Sequence, residues 1–166
     1  MVACFIGHRT VNKSKELILS LKDTVVSLIS KGVNTFLFGS MSEFNDISLQ
    51  VVTDIRKKYP YIKRVYVRSA FQHIDKFYEN YLLNFYEDTY FPPKVKNAGK
   101  YSYVERNYEM IDKSTFCIFY YNENYISPLK RQSKHKISLQ SRRNSGTKLA
   151  YNYAVKMNKV IINLFQ

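Results

Sequence analysis

Two runs in this chain, Val2-Ala3-Cys4-Phe5-Ile6 and Phe116-Cys117-Ile118-Phe119-Tyr120, are apolar at every position. A strand with one wet face alternates apolar and polar residues. A strand without alternation must be covered on both sides, as in a parallel sheet sandwiched between helices. Between these runs the period changes to that of a helix. Residues 14–31 set Leu17, Ile18, Leu21, Val25, Leu28 and Ile29 on one face, with Ser14 as N-cap and Gly32 as the stop. The next helix starts at a Ser42 cap, turns Phe44, Ile47, Val51, Val52 and Ile55 inward, and ends before Pro60. Further strands are expected at 33–38, 62–67, 115–121 and 160–165. Further helices are expected at about 102–113 and 146–157, the latter with Leu149, Tyr153, Ala154 and Met157 toward the core. Residues 73–100, aromatic and broken by Pro92-Pro93, read as a short helix and then a loop over the site, and 122–145 as a second loop. The order predicts an α/β fold: a doubly wound parallel sheet of about five strands with helices on both faces.

A chain of 166 residues is enough for one domain with a real core, so 1–166 is expected to be a single unit. No segment approaches the length of a membrane span, and none is expected to contact a membrane. The first strand begins at residue 2, leaving no room for a charged leader and cleavage site, which predicts a cytoplasmic protein. Cys4 and Cys117 fall inside expected strands and read as buried thiols. Three scattered histidines and no Cys/His spacing give no metal site, and no resident cofactor is expected. The net charge of +13 predicts attraction to anions. Much of it clusters in 129–143, where Lys130, Arg131, Lys134, Lys136, Arg142 and Arg143 carry no acidic neighbour.

Gly7, Gly39 and Gly146 each stand where an apolar run gives way to a helix, which in such a sheet is the carboxyl edge of the strands, where ligands bind. Glycine lets a backbone N–H approach a ligand, and each following helix points its positive end into the same crevice. Four clusters are expected to meet there. Gly7-His8-Arg9 offers Arg9 as a bidentate anion partner. Gly39-Ser40 leads into Glu43-Phe44-Asn45, a polar turn suited to a phosphate or a ribose. Arg106 can reach the site from the start of its helix. Ser145-Gly146-Thr147-Lys148 combines backbone N–H groups, hydroxyls and an ammonium at a helix N-terminus. No Walker A loop, dinucleotide G-x-G-x-x-G or nucleophile elbow occurs.

Four segments together resemble the SLOG superfamily, which unites Smf/DprA proteins with the "lonely guy" (LOG) phosphoribohydrolases. They are Cys4-Phe5-Ile6-Gly7-His8-Arg9; Phe38-Gly39-Ser40 with Glu43-Phe44-Asn45; Arg106-Asn107-Tyr108-Glu109-Met110-Ile111-Asp112; and Ser145-Gly146-Thr147 before Ala150-Tyr151-Asn152-Tyr153-Ala154. The nearest branch is a small bacterial and phage group of unknown function. The resemblance implies a Rossmann-like domain, a homo-oligomer, and a nucleotide pocket lined by Gly7, Arg9, Gly39, Ser40, Arg106, Gly146 and Thr147. The chain departs from the pattern twice. Asn45 stands where the branch usually has Asp, and Lys148-Leu149-Ala150 follows Gly-Thr where LOG enzymes carry their catalytic glutamate.

The leading expectation is therefore binding of a nucleotide or nucleotide-derived small molecule, ADP-ribose-like or a nucleoside phosphate, in order to sense or sequester a signalling nucleotide. No catalytic residue is assigned. Cleavage of a glycosidic bond needs a carboxylate beside an oxocarbenium-like centre, and only Glu43 or Glu109 is placed to replace the missing acid. The alternatives are a LOG-like nucleoside-monophosphate phosphoribohydrolase and DprA-like binding of single-stranded nucleic acid. The second of these draws on the basic loop 129–143 and on a chain with 15 tyrosines and 11 phenylalanines.

Overall fold

The computed structural model describes residues 1–39, 42–125 and 145–165. Six strands, β1 (Val2–Gly7), β2 (Thr35–Phe38), β3 (Lys63–Val67), β4 (Asp88–Tyr90), β5 (Phe116–Tyr120) and β6 (Val160–Asn163), form one sheet. All pairings are parallel, in the order β4-β3-β2-β1-β5-β6. The helices are α1 (Lys15–Ser30), α2 (Glu43–Arg56), α3 (Lys76–Leu83), α4 (Lys100–Lys113) and α5 (Gly146–Lys156). The architecture is Rossmann-like, with helices on both faces and six strands rather than about five. Among the described residues no helix is long and apolar enough to cross a membrane.

The period of two along β1 divides the core. Ala3 and Phe5 face a layer built from Leu17, Leu21 and Val25 of α1 and from Phe44, Val51 and Val52 of α2. Cys4 and Ile6 face the opposite layer, with Met110 and Ile111 of α4 and Ala150 and Ala154 of α5. Phe5 anchors the first layer, its ring 5.0 Å from Phe38 and 6.3 Å from Phe44. Ser14, Ser42 and Ser145 cap their helices, each hydroxyl accepting an N–H from the residue three positions on. Gly32 ends the first helix region with φ 91°.

Two parts of the sequence reading change. The section after α3 contains a sixth strand, β4, only three residues long and with no apolar run to announce it. It is pinned at the sheet edge by Arg64, whose backbone N–H and guanidinium both donate to the Glu87 carboxylate. In α5 the buried positions are Thr147, Ala150 and Ala154, while Met157 is exposed. The small residues face inward because α5 lies close against α4, with Tyr153 stacked on Tyr108 at 4.0 Å.

β1 and α2 approach so closely that a Cβ at Gly7 would sit 2.5 Å from Cβ and ring atoms of the fully buried Phe44. Among the described residues a Cβ at Gly146 would meet nothing within 4 Å. Gly7→Ala should therefore cost about 1–3 kcal/mol in urea unfolding, and Gly146→Ala should cost nothing. Equal effects of the two substitutions would show that the β1–α2 approach is not this tight.

Candidate functional site

A parallel sheet puts all its strand ends on one edge, and here the chain order reverses between β1 and β5, the position where open α/β sheets bind ligands. β1 ends at Gly7, opposite Tyr120 of β5, and Phe5 pairs with Phe38 of β2. Gly7 and Gly39 thus leave neighbouring strands at similar height. α2 and α5 begin at the same edge.

Arg106 sits at this edge with its side chain pointing inward. The residue is 4% exposed, and a Cβ on Gly39 would lie 2.5 Å from both Cζ and an amino nitrogen of the guanidinium. The guanidinium therefore lies directly on the Gly39 backbone, and only glycine leaves it room. One amino group donates to the Val67 carbonyl at the end of β3 (3.3 Å), and Nε donates to the Asn107 side chain (3.0 Å). Tyr103 lies 5.9 Å away, ring toward the cation. Among the described residues no carboxylate pairs with it. A guanidinium has five N–H donors, and among the described residues two of them have acceptors. Burial pushes Arg106 down to about 10, which leaves it charged at neutral pH. A buried cation without a counter-charge is costly in the free protein and is a common mark of an anion site.

Several other expected site residues are engaged within the protein. Asn45 is buried. Its Oδ1 accepts the Gly39 N–H (3.2 Å) and its Nδ2 donates to Ser42 Oγ (2.8 Å), so the side chain shapes the turn beneath Arg106. Glu43 donates its N–H to the Arg9 carbonyl, and its carboxylate accepts the Val11 N–H (2.9 Å) while Lys13 lies 3.4 Å away. The Val11 N–H holds that carboxyl below the usual carboxylate range. Glu109 pairs with Lys113 at 3.2 Å. Phe44 is core. Arg9 is exposed, and Lys148 reaches Glu123 at 3.4 Å. Gly146 opens α5, where an added Cβ would meet none of the described residues within 4 Å, beside Thr147, which is 8% exposed. Ser40 and the basic loop 129–143 lie outside the described residues.

His8 is 1% exposed, and its ring stacks on Tyr125 at 3.9 Å. Nε2 lies 2.8 Å from the Asn122 N–H and 3.1 Å from the Asn122 carbonyl oxygen, while the buried Nδ1 has no partner among the described residues. The Tyr125 hydroxyl in turn bonds Thr10 Oγ1 (2.8 Å) and its N–H (3.2 Å). These contacts brace the loop after β1. Residues 10–12 with Tyr120, Asn122, Tyr125 and Phe165 line a cleft of about 230 Å³. A second cleft of about 280 Å³ lies between α1 and β6, near Ser27 and Lys31 at the end of α1 and so at the opposite edge of the sheet.

Sequence reasoning missed three elements of this site: the Val67 carbonyl, Tyr103 and Tyr125. Tyr103 precedes Arg106 by about one helical turn, a spacing that could have flagged it. The other two come into place only through the sheet order and the chain reversal after β5. Among known proteins, no family model matches this chain and no curated protein matches it.

Burial pushes the His8 imidazole from 6.5 down to about 4. Between those values the unfolded chain takes up a proton that the folded ring refuses. Stability is then full above pH 6.5 and falls as pH drops toward 4, by roughly 3 kcal/mol from this group. Urea titrations across that range should show the decline, and His8→Gln should flatten it. An unchanged slope would assign the acid sensitivity to other groups.

Proposed function

We propose that this protein binds a nucleotide or nucleotide-derived small molecule, an ADP-ribose-like compound or a nucleoside phosphate, at the carboxyl edge of its sheet. Arg106 holds a phosphate. The reading is supported chiefly by one observation: a buried guanidinium without a carboxylate, laid on a glycine whose missing side chain makes room for it. A phosphate supplies the charge and the acceptors that the protein does not, in the bidentate geometry guanidinium favours. The α5 start, with the open Gly146 and the buried Thr147, offers backbone N–H groups to a second anionic group. The resemblance to the SLOG superfamily points the same way.

Binding without turnover is the form of this reading we favour, which suits a protein that senses or sequesters a signalling nucleotide. The two acids that the sequence offers in place of a glycosidase carboxylate are already held, Glu43 by the Val11 N–H and Glu109 by Lys113.

The test is a thermal-shift series at low salt with AMP, ADP, NAD and ADP-ribose, on the parent and on Arg106→Met. At about 100 times its Kd a true ligand adds roughly 2.7 kcal/mol of stability. Arg106→Met should abolish that shift. Its own Tm without ligand should equal or exceed the parent's, because an uncompensated buried charge has been removed. No shift with any of the four compounds would overturn the reading.

A further inference from the structure

Phe71 has φ 59°, in the left-handed region. The other described non-glycine residue with positive φ is Asn158 (φ 51°), just past the end of α5, where asparagine is readily tolerated. A phenylalanine has no such tolerance, so its conformation is imposed by its surroundings. The Arg68 guanidinium donates to the carbonyls of Phe71 (2.8 Å) and Gln72 (3.3 Å), and the Arg68 N–H donates to the Tyr90 carbonyl. Ser69, between them, is 6% exposed. This bracing does not tuck the ring into the core: Phe71 is 73% exposed. The same loop leaves the sheet at Val67, whose carbonyl accepts from Arg106. A strained, tied backbone therefore presents an aromatic ring to water four residues beyond the carbonyl that anchors the buried cation.

We infer that Phe71 is the stacking platform of the Arg106 site, so that the ligand is a phosphate ester carrying a planar aromatic base, not a plain sugar phosphate. This rests on the phosphate reading of Arg106 above. Stacking tolerates many bases, because each offers a flat face to the ring. Phe71 is a specificity residue: it separates ligands with a base from those without.

Calorimetric titration of AMP and of ribose 5-phosphate into the parent, Phe71→Gly and Phe71→Trp tests this. The parent should bind AMP about tenfold or more tighter than ribose 5-phosphate. Phe71→Gly should erase that margin while leaving the ribose 5-phosphate affinity unchanged, and should raise the ligand-free Tm because glycine accepts this φ without strain. Phe71→Trp should keep the margin. A margin that survives in Phe71→Gly overturns the inference, as does a parallel loss of affinity for both compounds, which would make the loop a support for the phosphate. Equal affinities in the parent would also overturn it while leaving the phosphate reading standing. Binding of neither compound by the parent would remove both.

Discussion

Strand β1 has no polar side chain from Ala3 to Ile6, and β2 and β5 occupy both its edges, so two helical layers must close over it. Most of the architecture depends on that requirement. A strand buried on both faces pairs in parallel with neighbours delivered by crossover helices, and each crossover returns the chain to the same edge. With α1 and α2 filling one face and α4 and α5 the other, the helices that follow β1, β2 and β5 all start or pass at the carboxyl ends. The close seat of Phe44 against Gly7 follows from the same compression, because a full aromatic ring must fit between β1 and α2.

Against this apolar background the electrostatics divide the basic residues into two kinds. Arg64 is shared among Glu87 and Thr53, and Lys94 meets Asp112, so these cations are compensated inside the protein. They tie peripheral pieces to the sheet, Arg64 the β4 edge and Lys94 the segment before α4. Arg106 differs, being more deeply buried than either and lacking a carboxylate among the described residues. The surrounding turn is built around it: Gly39 is bare, Asn45 and Ser42 hold the backbone beneath, and Val67 offers one carbonyl. The turn beneath the guanidinium is held by Asn45 and Ser42, yet among the described residues nothing of negative charge faces Arg106, and the proposed anion site rests on that imbalance.

Much of this was legible in the sequence. The helix caps at Ser14 and Ser42 and the stop at Gly32 are local hydrogen-bonding and φ requirements, and each is found where its residue type predicts. Arg106 and Gly39 were both singled out, but as separate contributors to one crevice. Nothing in their spacing tells that the guanidinium lies on the glycine. Strand β4 escaped notice because Asp88-Thr89-Tyr90 has no apolar run and its pairing relies on Arg64 and Glu87, 23 residues apart. The α5 stripe was misjudged because large apolar residues outweigh alanines in any periodicity. At a close helix–helix contact it is the alanines that face inward.

The sequence by itself determined the fold class, the order of its elements apart from β4, and the sheet edge at which Gly7 and Gly39 stand. Those follow from burial and from backbone rules that act over a few residues. Only the tertiary structure decided which polar groups on that edge are already satisfied, since a hydrogen-bond partner can lie anywhere along the chain. It turned Glu43, Asn45 and His8 toward Val11, Gly39 and Asn122, and it left Arg106 charged, buried and without a carboxylate. Whether a charge is compensated depends on three-dimensional neighbours within a few ångströms, and residue spacing carries no record of them.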